Sequence, residues 1–327
     1  MGHKGPVQDL FVPSLVDVAS DHLEAIILYG SHLLGATPGR HSAYDLVLIV
    51  DDYSNFYNVL GSANLTHRPP IVMTIISNFM PPTVIRLAPK GEGGPLAKCL
   101  VIDRSDFEKS LRIDRTRDHF MISRMMQKVQ VVYSRNDLVE AWVEENLWVA
   151  RYGVINWATL WIDQPFNAAA LAREMLRICY RSENRPESSG RSDAIFLAQE
   201  EELVELYSEV LARAEVTGEV AREGDSHRIL LPVSKSIRLR RLLYFKISKL
   251  RVTLSWLKHV VTFEGWLSYI VRKVERRTGK KIRLTKIEKV LPILFLWPRV
   301  LFVFWNRPKL ESEPSEKFPA DTDQGVS

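Results

Sequence analysis

Apolar residues fall in short dense runs in the first third of the chain and in longer, helix-like stretches beyond it. Ala25-Ile26-Ile27-Leu28-Tyr29 is unbroken and stops at Gly30-Ser31, and Leu46-Val47-Leu48-Ile49-Val50 is unbroken and is opened by Asp45. Short continuous apolar runs bounded by turn residues predict buried strands. The same pattern predicts strands over residues 83–87 and 97–103, with Asp103 or Ser105 capping the helix that follows. Helices are expected over residues 13–24 and 52–65, and the pairs Pro69-Pro70 and Pro81-Pro82 bracket residues 71–78. Residues 116–180 are rich in Met, Trp and Leu and read as helical, broken near Ser134-Arg135-Asn136 and Asp163-Gln164-Pro165. A polar loop over residues 181–193 precedes helices expected over 194–211, 236–250 and 264–277. The order predicts an α/β domain over residues 1–115, a mainly helical domain over 116–233, a basic amphipathic region over 234–310 and a disordered tail over 311–327.

Composition agrees with a globular chain of two domains: 327 residues, 46% apolar and 25% charged. Two cysteines, Cys99 and Cys179, both in apolar surroundings, read as buried reduced thiols and exclude a disulfide scaffold or a Cys-based zinc site. The first residues carry neither the apolar core of a signal peptide nor transit-peptide character, so a cytoplasmic chain is expected. Charge changes the picture more. The net +5 hides a stretch, residues 234–289, with seventeen Lys or Arg against Glu264, Glu275 and Glu288. A basic, apolar-rich C-terminal third suits an anionic membrane surface or nucleic acid. Regular basic-aromatic stacking motifs are not evident, so no nucleic-acid partner is expected. Residues 291–305 are too few to span a bilayer and contain Pro292, Pro298 and Arg299; they read as a segment lying in the membrane interface or as one capping the core.

Strand, Gly-Ser turn, loop and Asp-led strand form the layout with which polymerase β-like nucleotidyltransferases hold a nucleoside triphosphate. Backbone N–H groups and the Ser31 hydroxyl would approach the phosphates, and Asp45 would be aimed at Mg²⁺. A carboxylate opening a buried apolar strand needs a partner to offset its desolvation. Asp51 shares the face of Asp45 but lies about 20 Å along an extended strand. Ala43 stands where a second acid of the strand would be, so Asp103 is either the second metal ligand or a helix cap. Lys98, beside an apolar strand, would face a triphosphate or lie at a surface strand end. Arg124 and Lys128, four apart, are expected to share a helix face, meeting phosphate or solvent. No Ser/His/Asp or Cys/His constellation is apparent.

In sum of motifs, Tyr29-Gly30-Ser31, the run from Asp45 to Asp52, Phe56-Tyr57, Asn64-Leu65-Thr66-His67, Lys98-Cys99-Leu100-Val101-Ile102 and the stretch from Phe120 to Lys128 occur in an order that resembles one family. It is the mitochondrial-type CDP-diacylglycerol synthases, the translocator assembly and maintenance family of phosphatidate cytidylyltransferases. The similarity covers residues 29–185; His32 departs from the family's Gly, and the C-terminal third matches only in character. The resemblance implies a nucleotidyltransferase domain followed by helices, and the reaction CTP plus phosphatidate to CDP-diacylglycerol plus pyrophosphate in phospholipid biosynthesis. It implies Asp45, Lys98 and His67 as catalytic residues and Gly30, Ser31, Asn64, Arg124 and Lys128 as binding residues. Mg²⁺ would sit on Asp45, with Asp103 as its second ligand where it is not the helix cap, and the protein would attach peripherally to the inner face of an anionic membrane. Two other readings stay open: transfer to another acceptor (protein, RNA or small molecule), or a non-catalytic membrane-bound scaffold, for which Ala43 is the best argument.

Overall fold

Strands made of continuous apolar residues need cover on both faces, and the chain supplies it in order. In the computed structural model, residues 7–33, 43–66, 68–89, 94–182, 191–231, 234–263, 265 and 271 are described, all within one compact unit covering 1–274. A π turn at Val7–Phe11 runs into α1 (Val12–Ala19), and a 3-10 turn at Ser20–His22 leads to β1 (Leu23–Tyr29). Then come β2 (Tyr44–Val50), α2 (Tyr53–Ser62), α3 (Pro70–Phe79), β3 (Thr83–Leu87), β4 (Ala97–Asp103) and α4 (Arg104–Leu111). The second half holds α5 (Ile122–Met125), β5 (Val129–Ser134), α6 (Asp137–Tyr152), α7 (Val154–Ala158), α8 (Ala168–Arg181), α9 (Arg191–Leu197) and α10 (Glu200–Val216). A hairpin of β6 (Val220–Glu223) and β7 (Ser226–Ile229) precedes α11 (Lys235–Thr262).

Five strands form one mixed sheet in the order β3-β4-β2-β1-β5, with β2 and β4 parallel and the other neighbours antiparallel. One face, carrying Ile26, Leu28, Leu46, Leu48, Cys99 and Val101, packs on Phe11 and Leu15 near the N-terminus and on Tyr53, Phe56, Tyr57 and Leu60 of α2. The other, carrying Ala25, Ile27, Val47, Ile49, Leu100 and Ile102, packs on Phe107, Ile122, Val139, Val143 and Leu147, and this core continues through Trp157, Leu171 and Tyr207. Helix starts are fixed by side-chain caps: Asp52 Oδ1 accepts from Asn55 N at 2.9 Å, Asp103 Oδ1 from Asp106 N at 2.7 Å and Asn136 Oδ1 from Val139 N at 3.0 Å.

Several expectations are corrected. The helical reading of residues 116–180 fails at Val129–Ser134, which forms the edge strand β5 against β1. The first sheet therefore draws a strand from beyond residue 115. The sequence Val-Gln-Val-Val-Tyr-Ser is β-branched and aromatic, and cross-strand pairing with β1 overrides its helical neighbourhood. The β6–β7 hairpin was also not expected; its signal is Gly224, at φ +63° between two short runs. The helix expected over 194–211 is two helices, α9 and α10, and α11 runs a dozen residues past its expected end. Residues 272–327, with the expected interfacial segment 291–305 and the tail, lie outside the described residues.

Candidate functional site

The register of the sheet assembles the site. Tyr29 of β1 pairs with Asp45 of β2, Asp45 with Lys98 of β4, and Lys98 with Arg86 of β3. Directly paired residues share a sheet face, so these four side chains form a polar row across four strands. The row continues the face of Ile27, Val47 and Leu100, at the end where apolar cover gives out. Lys98 Nζ lies 3.9 Å from Asp45 Oδ1, and both side chains are about one-quarter exposed, at 26% and 28%. Asp45 thus has the partner its desolvation requires while staying open to solvent and ligand.

Gly30 ends β1 with φ +83°, the left-handed region, and turns the chain over Asp45. A Cβ built on Gly30 would lie 2.9 Å from Asp45 Oδ2, so only glycine permits this approach. Ser31 opens the 3-10 turn Ser31–Leu33, closed by Leu33 N donating to Gly30 O at 3.0 Å. His32 stacks on Tyr44 with ring centroids 3.8 Å apart, which gives it a packing role at the turn.

Other expected residues separate. Asp103 does not join Asp45: it pairs with Val50 at the far end of the parallel β2–β4 ladder, five residues along, about 17 Å at strand rise. Its carboxylate caps α4, and burial pushes its pKa up. Asp51, also at that end, accepts from or pairs with His22 Nδ1 at 3.0 Å. Arg124 and Lys128 do not share a helix face, because α5 is a single turn that ends at Met125. Arg124 folds back, donating to Phe120 O at 2.5 Å with its guanidinium 3.6 Å from the Phe120 ring centroid. Lys128 pairs with Glu202 of α10. Asn64 is an exposed residue at φ +54° in the turn that ends α2. That turn borders an open depression of about 620 Å³ between Asn58, Gly61 and Ser62 and Thr66, Arg68 and Pro70. His67 lies outside the described residues.

Reasoning on the sequence missed Arg86, which only the β3–β4 register places beside Lys98. Away from that row, α11 carries cations that the sequence reading did not single out. Lys258 donates to Met80 O and Pro82 O, and burial lowers its pKa to about 7 against the opposing effect of Asp118. Burial, then Lys258 and Arg124, lower His259 to about 3, so it is neutral at pH 7. Arg251 pairs with Asp118 at 3.5 Å.

Among the described residues no three His, Cys, Asp or Glu side chains gather to hold a metal ion. Asp45 is the one carboxylate of the polar row, and its side chain is 28% exposed. This donor set fits Mg²⁺ that takes its remaining ligands from phosphate oxygens and water, as Mg²⁺ commonly does.

No family model and no curated protein matches the chain. A crystal structure of a nucleotidyltransferase-like protein from Exiguobacterium sibiricum is similar at 11% identity, covering 91% of this chain and 90% of that one, with a TM-score of 0.24. That score is too low for the likeness to carry its fold or chemistry to this chain.

Proposed function

We propose that the chain is a nucleotidyltransferase that joins CTP to phosphatidate, forming CDP-diacylglycerol and pyrophosphate. The observation that supports this reading is the Gly30–Asp45–Lys98 arrangement, with a glycine turn against a carboxylate and a lysine within 3.9 Å of it. Asp45 would hold Mg²⁺, which when bound neutralises phosphate charge. The Ser31 hydroxyl and the backbone of the 30–33 turn would donate to phosphate oxygens, and Lys98 would set its charge against the triphosphate. A phosphatidate oxygen attacks the α-phosphorus, a new P–O–P link forms, and the bond to the β-phosphate breaks to release pyrophosphate. A phosphate nucleophile is already anionic near pH 7, so the reaction needs no strong general base. The family resemblance of residues 29–185 supplies the acceptor and the base; the geometry supports nucleotidyl transfer more directly than it supports either.

The test offers the purified protein phosphatidate vesicles, Mg²⁺ and each labelled nucleoside triphosphate in turn. A liponucleotide formed with CTP is the expected product. Transfer from CTP to a different acceptor would overturn the lipid part of the reading, and no transfer from any nucleotide would overturn the whole.

A further inference from the structure

The polar row is unequal on its two sides. Asp45, on β2, has the Gly30–Ser31 turn on its β1 flank and Lys98, then Arg86, on its β4 flank. Neither residue of that second flank is a carboxylate: β4 and β3 set a lysine and an arginine side by side in register. Like charges opposite each other across an antiparallel pair repel, and the row's single acid is Asp45, 3.9 Å from Lys98. A ligand that brings negative charge of its own relieves that repulsion. Arg86 is also the one residue of β3 that is not buried; Thr83, Val84, Ile85 and Leu87 are all covered. β3 is the edge strand, so the row ends at Arg86.

We propose that Arg86 binds the phosphate of the acceptor, which makes the acceptor a phosphate monoester and not an alcohol or an amine. The inference rests on the proposed nucleotidyl transfer and adds the group that selects its second substrate. In phosphoryl transfer the attacking and leaving oxygens lie roughly in line through the phosphorus. With the α-phosphorus beside Asp45, a triphosphate held by the donors of the Gly30–Ser31 turn sends its leaving group to the β1 side, and the nucleophile arrives on the β4 side. Lys98 then stands next to the reacting centre. Arg86, two strand spacings or about 10 Å from Asp45 along the row, stands next to the acceptor's remaining oxygens. An alcohol acceptor would call for a base on this flank, where the row supplies only cations. A phosphate monoester needs no base, and a guanidinium takes two of its oxygens at once.

The test separates the two substrates, using the full chain. In assays with CTP and the water-soluble dihexanoyl phosphatidate, Arg86→Gln is expected to raise the KM for phosphatidate about tenfold or more and to leave the KM for CTP within about twofold. Arg86→Lys, which keeps the charge and loses the planar fork, is expected to fall between wild type and Arg86→Gln. Calorimetric titration without CTP or metal makes the outcome independent of turnover. Wild-type protein is expected to bind dihexanoyl phosphatidate more tightly than its phosphate methyl ester, a diester with less charge, and Arg86→Gln is expected to lose that preference while staying folded. Glycerol 3-phosphate carries the same monoester without acyl chains; an Arg86-dependent affinity for it equal to that for phosphatidate would support the site with a soluble acceptor as its source. A rise in the CTP KM alone would overturn the proposal and assign Arg86 to the triphosphate. Equal wild-type affinity for monoester and diester would also overturn it, as would an Arg86→Gln variant that keeps the preference. Protein that selects the monoester through Arg86 yet transfers no nucleotide would support this site and overturn the proposed reaction alone.

Discussion

Gly30→Ala is the sharpest perturbation of the candidate site, because it adds one methyl group with two separable consequences. Alanine at φ +83° sits in the left-handed region, which costs about 1–2 kcal/mol wherever it occurs. The methyl would also stand 2.9 Å from Asp45 Oδ2. Relief to ordinary van der Waals contact needs the carboxylate to withdraw by about half an ångström, and misplacement on this scale in an active site costs about tenfold or more in rate. Asp45 is partly exposed and can swing, so its share of the stability loss is expected to stay below about 1 kcal/mol. A double-mutant cycle with Asp45→Ala separates the two terms. Urea denaturation should show the backbone cost in both backgrounds and a coupling of about 0.5–1 kcal/mol only when Asp45 is present. Nucleotidyl transfer by Gly30→Ala should fall much further than its stability predicts. Wild-type turnover in the destabilised variant would refute the role of this close approach, and equal stability losses in both backgrounds would refute the contact itself.

Asp45→Asn should abolish turnover with little change in melting temperature, whereas Asp103→Ala should cost about 1 kcal/mol of stability through its lost cap and leave turnover in the remaining folded protein; equal inactivation by both would contradict the β2–β4 register as the arbiter. Lys98→Ala should weaken CTP binding in a calorimetric titration, while Lys128→Ala, which breaks an exposed pair with Glu202, should leave it unchanged. Lys258 is held to about 7 against an ordinary 10.5, so between those values the unfolded chain binds more protons and stability rises with pH, by at most about 1.4 kcal/mol per pH unit from this group. Denaturation of Lys258→Met across pH 7–10 should show a flatter dependence than wild type; an identical slope would show that Lys258 does not titrate in that window.

Some of this was legible because burial on both faces is spelled locally. The continuous apolar runs of β1, β2 and β4 mark strands under two layers of cover, and Gly30-Ser31 marks the abrupt turn between them. The charged residue opening β2 stood out for the same reason, since an ion at the mouth of an apolar strand requires compensation. The caps at Asp52, Asn136 and Asn167 are equally short-range, each satisfied within three residues, but they were not among the expected caps.

What one position faces across the sheet is a different kind of information. The sequence alone left Asp103 as metal ligand or cap; the parallel register, which sets Val50 against Asp103, decided for the cap by distance. Arg86 had no distinguishing local feature, and only antiparallel pairing with β4 places it next to Lys98. Val129–Ser134 carries β-branched and aromatic residues but sits among helical signals, and its strand is decided by pairing with β1, about a hundred residues earlier. Arg124 and Lys128 were spaced as one helix face, yet the chain leaves the helix between them to enter that strand. The sequence by itself thus determined which segments are buried and where the chain turns, since those depend on neighbours within a few residues. Tertiary structure alone decided which charges meet, since hydrogen-bonded register is set by partners far away in the chain.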